Sequence, residues 1–313
     1  MERRSVETRD GACWVLVGPT ASGKSAVALE LAQRHKVEIV SVDSMQVYRG
    51  MDIGTAKPGP DERACVPHHM IDVLEPGERC NVGQFCRMAR RAIREIRARG
   101  NRPFLVGGSP LYLKGIIWGL MRAPGADPAV RGRLQEELDR CGREKMHERL
   151  ALMDPEAAAR IHPNDVQRLI RALEVCEVTG SPISAGQRQF AGRPRLKHAM
   201  VGLRRPRAEL YARIERRVDE MMEKGLLAEV EALLEKFGPQ GTQALAYKEL
   251  VDHLMGKTTL IQAVSLIKRN TRRLAKHQLT WFRQFPQVEW VDARECESPS
   301  ELAARCETAL TSA

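Results

Sequence analysis

Gly18-Pro19-Thr20-Ala21-Ser22-Gly23-Lys24-Ser25 matches G-x-x-x-x-G-K-[ST] at every defined position. That spacing suits a chain of phosphates. Its glycines let backbone N–H groups converge on phosphate oxygens, and a helix opening at its end adds partial positive charge. Lys24 supplies a full charge, and the Ser25 hydroxyl can ligate Mg²⁺. The pattern specifies a charge rather than a molecule, so ATP, another nucleotide or any other diphosphate satisfies it.

A second group of reactive side chains follows soon after. Asp43 ends an apolar run, Val37–Val42, where open α/β sheets place ligands. Position alone leaves it three roles: metal ligand, proton acceptor or helix cap. Phe104–Val106 is another apolar run, and it ends in Gly107-Gly108-Ser109. A phosphate-loop kinase would want a Mg²⁺-holding Asp at the end of such a strand.

These loops need a scaffold, and the periodicities describe one. Ala12–Val17 reads as a buried strand running into the phosphate loop, and Lys24–Arg34 as the helix that leaves it. Phe85, Met88, Ala89, Ala92, Ile93 and Ile96 recur at helical spacing, with arginines on the other faces. His198–Leu203 reads as a further strand, and Glu209–Phe237 and Leu260–Phe285 as long helices. Strand–helix alternation implies an α/β fold: a phosphate-loop, NTPase-like parallel sheet flanked by helices.

Between Pro128 and Gly180 the pattern is helical only, and Ser181–Arg195 is an irregular connection. The expected organisation is a core of residues 1–121 and 198–313, the latter carrying basic helices, interrupted by a helical insertion domain at 122–197. Beyond about Asp292 the tail has no clear pattern.

The chain has 313 residues, 50 Lys and Arg against 40 Asp and Glu, and a net charge of +10. Charge clusters matter more than the total. Lys268–Arg283 holds six Lys/Arg and no acid, and Gln84–Arg102 holds seven Arg against one Glu. Such stripes attract polyanions, although an Arg-rich solvated helix face looks the same. Lys268, Arg272 and Lys276 share one face of the last long helix, with Val264, Ile267, Leu274 and Trp281 read as its buried side.

The eight cysteines include no C-x-x-C pair and no His pair at zinc spacing. Met1–Asp10 is polar, and no apolar run is long enough to span a membrane. Free thiols in a cytosolic protein are expected. His68, His69 and His162 follow no metal spacing and read as structural or RNA-facing.

Longer strings carry a resemblance. They are Ser41-Val42-Asp43-Ser44-Met45-Gln46-Val47-Tyr48, Met51-Asp52-Ile53-Gly54-Thr55-Ala56-Lys57-Pro58, Pro67-His68-His69 with Asp72, and Val106-Gly107-Gly108-Ser109-Pro110-Leu111-Tyr112. Further along come Ile161-His162-Pro163-Asn164-Asp165, Arg171-Ala172-Leu173-Glu174, Tyr247-Lys248-Glu249 and Thr271-Arg272-Arg273-Leu274-Ala275-Lys276. In this order they resemble the bacterial tRNA dimethylallyltransferases (tRNA isopentenyltransferases), over nearly the whole chain.

The resemblance implies transfer of a dimethylallyl group from dimethylallyl diphosphate to N6 of adenosine 37, in the anticodon stem-loop of tRNA, with Mg²⁺. It implies that Gly18, Pro19, Thr20, Ala21, Ser22, Gly23, Lys24 and Ser25 hold the donor's diphosphate, with Ser25 toward the metal. Asp43 would be the general base, and Ser109 and Arg217 would complete the catalytic set, Arg217 meeting the diphosphate. Contacts to tRNA would come from Asp43, Ser44, Met45, Gln46, Ser109, Arg131, Gln167, Arg168, Arg171, Tyr247 and Arg272. A cytosolic monomer is expected.

The chain departs from the family's pattern in places. Ser109 replaces the usual Thr and keeps the hydroxyl, Pro110 stiffens the turn after it, and His277 replaces Arg. Ala246 replaces Gly before Tyr247, where a positive φ would strain it. Two other readings remain beside the resemblance: a small-metabolite kinase, and an RNA-binding module that uses a nucleotide as a switch. The first lacks the strand-end Asp, and the second gives Asp43 and Ser109 no joint role. Residue types alone also allow Glu174 simply to pair with Arg171, and Tyr247 and Met45 to be core residues.

Overall fold

The computed structural model describes residues 11–121, 124–186, 192–238, 241–294 and 296–312. Met1–Asp10, the expected domain boundary at 122 and residues 187–191 of the irregular connection lie outside them. In chain order, the elements begin β1 (Cys13–Val17), α1 (Lys24–Arg34), β2 (Val37–Val42), α2 (Pro60–Cys65), β3 (His68–His69), α3 (Val82–Ala98) and β4 (Arg102–Gly107). Helices follow: α4 (Pro110–Ile117), α5 (Pro128–Met153), α6 (Pro155–Ala158), α7 (Val166–Thr179) and α8 (Ile183–Gly186). The chain then forms β5 (His198–Arg204), α9 (Arg207–Glu223), α10 (Leu226–Leu233), α11 (Tyr247–Leu254), α12 (Leu260–Phe282), β6 (Val288–Asp292) and α13 (Pro299–Ser312).

Two compact units result, one from the chain before Trp118 and after Arg195, the other Trp118–Arg195. The first holds a six-stranded sheet ordered β3-β2-β4-β1-β5-β6. Every pairing in it is parallel. Parallel strands are covered on both faces, so their sequences read as unbroken apolar runs. Every residue of β1 and β2 is buried accordingly. Trp14, Leu16, Leu31, Phe104, Leu203 and Leu302 belong to one core cluster, in which α13 contributes Ala303, Cys306 and Leu310.

Neither β6 nor α13 was legible in the sequence. β6 is an edge strand with one buried residue, so its pattern lacks the apolar run of its neighbours. The helix expected over Glu209–Phe237 is broken: Gly225 stands at φ 92 between α9 and α10.

In the second unit, Leu134, Met146, Leu150, Leu169 and Leu173 form the core among helices α5–α8. Helix α5 changes direction at Gly142 (φ 83, ψ 164), and Gly180 closes α7 in the left-handed conformation (φ 67). Among the described residues, no helix is long and apolar enough to cross a membrane. The eight cysteines are all free thiols.

Candidate active site

Three adjacent strands end level with one another. Val17 of β1 and Val42 of β2 are both in register with Gly107 of β4. The next residues open three loops side by side: the phosphate loop at Gly18, the Asp43 turn, and Gly108-Ser109. The strands approach so closely that a Cβ at Gly107 would lie 2.1 Å from the Val42 carbonyl oxygen. Only glycine is tolerated there. The Ser109 N–H donates to that same oxygen (3.3 Å), which ties the Ser109 loop to β2.

Arg213 of α9 and Arg205, just before that helix, hold the phosphate loop. Arg213 Nε donates to the Ala21 carbonyl and Arg205 Nε to the Ser22 carbonyl, each at 2.9 Å. Ala21 itself stands at φ 62, a conformation unfavourable for a residue with a Cβ. The two guanidinium groups therefore brace a strained turn. Sequence reading missed both arginines, although Arg213 lies one helical turn before Arg217.

Arg217 behaves differently. It is partly buried, and among the described residues its guanidinium has no hydrogen-bond partner. Burial lowers its pKa, while nearby Asp43 acts in the opposite sense. A sheltered cation without a partner is suited to an incoming anion. Lys24 Nζ donates to the Pro19 carbonyl at 2.7 Å. Burial, aided by Arg217 and opposed by Asp43, brings its pKa down to about 7. Lys24, Ser25, Arg213, Arg216 and Arg217 line a polar cavity of about 370 Å³.

Asp43 uses one oxygen as a turn cap: Oδ1 accepts from the N–H of Met45 (2.8 Å) and of Gln46 (3.4 Å). Oδ2 has no partner among the described residues and is available for chemistry. Gln46 is committed elsewhere. Its Oε1 accepts from the Ser41 hydroxyl, and its Nε2 donates to the carbonyls of Thr55 and Ala56.

Asp43, Ser44, Met45 and Ser109 lie at the edge of a second cavity, of about 400 Å³. Its other walls are largely apolar, with Tyr112, Ile214, Val218, Met221, Leu274 and Trp281 among them. Leu274 and Trp281 correct an expectation. They do not belong to the buried side of α12, whose seam is Ala263, Ile267, Thr271, Ala275 and Phe282. Leu274 is 39% exposed. A three-to-four-residue period fits both sides, and the cavity is what distinguishes them.

Other expected tRNA contacts differ in their surroundings. Tyr247 is fully buried at the cavity wall, and its hydroxyl donates to Glu229. Arg272 donates to Glu215 and Lys268 to Asp219, so two members of the expected basic face pair with acids of α9. Lys276 is exposed.

In the second unit, Gln167 and Arg168 are exposed on the first turn of α7. Arg131 forms two 2.9 Å bonds to the buried Glu174 carboxylate, and Arg171 Nη1 donates to it at 2.6 Å. Glu174 does pair with Arg171, as its spacing allowed.

The IPP transferase family model matches residues 46–285, and an isopentenyl transferase model matches residues 11–67. The chain belongs to the IPP transferase family. A tRNA dimethylallyltransferase of Symbiobacterium thermophilum is 50% identical over 89% of this chain and 88% of its own. One from Carboxydothermus hydrogenoformans is 49% identical over 89% and 91%.

Among solved structures, a tRNA isopentenylpyrophosphate transferase from Bacillus halodurans superposes with a TM-score of 0.69. It is 41% identical, covering 96% of this chain and 97% of that one. A eukaryotic dimethylallyltransferase acting on tRNA gives 0.77 at 28% identity, covering 95% of this chain and 78% of that one. The IPP transferase family chain thus has the phosphate-loop, NTPase-like fold expected from its sequence.

Proposed function

We propose that this chain transfers a dimethylallyl group from dimethylallyl diphosphate to N6 of adenosine 37 in the anticodon loop of tRNA, releasing diphosphate. The coarser activity, prenyl transfer to tRNA, is named in its half-identical relatives, and the family's name carries the isopentenyl transfer. One observation carries the finer reading. A largely apolar cavity adjoins the phosphate loop at Thr20, and Thr20, Asp43 and Ser109 line it together. A kinase acceptor site would offer polar groups to a hydrophilic metabolite. This cavity offers Ile214, Val218 and Met221, which suit a branched five-carbon chain.

The geometry supports the following roles. Loop N–H groups, Lys24 and Arg217 meet the diphosphate and stabilise its charge as the C1–O bond breaks. The adenine N6 lone pair forms the new bond to C1, and the N6 proton passes to the free Oδ2 of Asp43. The Ser109 hydroxyl, on the loop after β4 and lining the same cavity as Asp43, orients the base. Alignment of two substrates in one cavity supplies much of the acceleration.

The residues also suit Mg²⁺. Among the described residues no cluster of three His, Cys, Asp or Glu could cage a metal. Mg²⁺ commonly shares substrate phosphates with one or two protein ligands. Ser25, exposed beside the loop, would be its protein ligand, and bound there it would add positive charge at the leaving diphosphate. Gln167, Arg168, Arg171, Arg131 and Arg272 are proposed to meet the tRNA backbone. For Arg131, Arg171 and Arg272 this requires sharing or exchanging their carboxylate partners. The protein is proposed to act as a cytosolic monomer.

A transfer assay tests the reading. Purified protein, Mg²⁺ and radiolabelled dimethylallyl diphosphate are incubated with unmodified tRNA carrying adenosine 37, and with a control tRNA lacking it. Label in the first RNA alone is expected. Label in neither would return the phosphate site to nucleotides, and tight Mg²⁺-dependent ATP binding would then favour the kinase reading.

A further inference from the structure

We infer that Gln278 is a positioning residue that sets the spacing between the phosphate loop and the loop carrying Ser109. The inference rests on the proposed transfer reaction and adds a residue to it. Gln278 lies on α12, far in sequence from both loops. Its Oε1 accepts from the Thr20 N–H at 2.8 Å, and its Nε2 donates to the Gly108 carbonyl at 2.8 Å. One planar carboxamide therefore touches the donor-binding loop with one atom and the acceptor-side loop with the other.

The orientation of the amide follows from chemistry. The Thr20 N–H needs an acceptor and the Gly108 carbonyl needs a donor, so the oxygen and nitrogen can face only one way. No other uncharged side chain of that length offers both functions in this geometry. The contact is also close. A Cβ at Gly108 would lie 2.5 Å from Gln278 Nε2. Glycine at 108 thus makes room for the amide.

The anchor on the other side is firm. Ala275 and Phe282, flanking Gln278 on α12, are both fully buried. Gln278 also stands where two cavities meet. It lines the largely apolar one and a smaller one, of about 100 Å³, that reaches Lys24, Ser25 and Asp43. In the reaction, C1 of the donor must meet N6 between these loops. A shift of about 1 Å in such an alignment can lower a rate by about 100-fold.

The tie also sorts the donors of the phosphate loop. The Thr20 N–H is committed to Gln278 and the Ser22 N–H to the Pro19 carbonyl (3.3 Å). Gly23, Lys24 and Ser25, at the start of α1, are left to face phosphate.

Gln278→Met, similar in length, removes both bonds, while Gln278→Glu keeps an acceptor for Thr20 but loses the donor to Gly108. Both should lower kcat about 100-fold at saturating substrates, with the melting temperature and the Kd for tRNA close to wild type. A folded Gln278→Met variant within about threefold of wild-type kcat would overturn the inference.

A double-mutant cycle gives a second test. Gly108→Ala should impair the wild type by pushing the amide aside, yet add little in a Gln278→Ala background. Full additivity would count against the tie. Hydrogen exchange at the Thr20 amide tests it apart from catalysis: protection should fall at least tenfold in Gln278→Met, and unchanged protection refutes it. An inactive wild type, by contrast, would sink the proposed reaction while exchange still judged Gln278.

Discussion

Tyr247 donates its phenolic O–H to Glu229 Oε1 at 2.6 Å. The same carboxylate accepts the backbone N–H groups of Asp52 (3.1 Å), Ile53 (2.7 Å) and Gly54 (3.1 Å). Three consecutive amides and one hydroxyl thus converge on a single anion from α10. The packing is as close as the bonding: a Cβ at Gly54 would lie 2.5 Å from the Tyr247 ring. Gly54 and Thr55 line the largely apolar cavity, so Glu229 and Tyr247 hold one of its walls. Burial and the neighbouring Glu229 carboxylate both keep the phenol protonated.

Removing that hydroxyl should therefore act on stability first. Tyr247→Phe leaves Glu229 one donor short and should cost about 1–2 kcal/mol in urea unfolding. The Kd for tRNA should stay within about twofold, because the ring is fully buried and cannot stack on a base as placed. A tenfold loss of tRNA affinity with unchanged stability would make Tyr247 an RNA contact after all.

Its neighbour is strained. Ala246 stands at φ 74 and ψ −44, where a Cβ is disfavoured, and the sequence comparison with the family already pointed to glycine there. Ala246→Gly should raise stability by about 1 kcal/mol, seen as a higher melting temperature. A lower one would mean that packing of the buried methyl outweighs the strain.

The sequence revealed the elements whose burial is one-sided or complete. β1, β2 and the phosphate loop were legible because two covered sheet faces demand apolar runs and a phosphate demands glycines. The break at Gly225 was harder, since helical spacing continues through a glycine until its φ is known. Ties such as Gln278 to Thr20 join residues 258 positions apart. Neither Gln278 nor Glu229 differs in residue type from an ordinary surface side chain. Only the fold identifies them, by bringing a donor and an acceptor to each.

Glu38 gives a pH-dependent expectation at the opposite ends of the strands. Buried on β2, it accepts from Arg99 (2.7 and 3.0 Å) and Asn101 (2.7 Å) and lies 2.6 Å from His69 Nε2. The Arg99 bonds, against the opposing effect of burial, hold its pKa down at about 2 from an ordinary 4.5. A depressed carboxylate stabilises the fold above its unfolded pKa and loses that contribution as pH falls through the folded value. Glu38→Gln should thus cost about 2–3 kcal/mol at pH 7, with the gap from wild type narrowing between pH 4.5 and 2. Parallel unfolding curves at pH 7, 4 and 2.5 measure it, and a gap independent of pH would assign the loss to packing.

The last expectation separates the two jobs of Asp43. Its Oδ1 caps the turn through Met45 and Gln46, and its Oδ2 is the proposed proton acceptor. Asp43→Ala removes both functions, so its inactivity would not distinguish catalysis from a collapsed turn. Asp43→Asn keeps a carbonyl oxygen for the Met45 N–H and removes the basic oxygen. If Asp43 takes the N6 proton, the Asn variant should lose between about 10²- and 10⁴-fold in kcat while binding tRNA nearly as well as wild type. Retention of activity within tenfold would move the base elsewhere in the cavity. Loss of tRNA binding would instead make the carboxylate a recognition group.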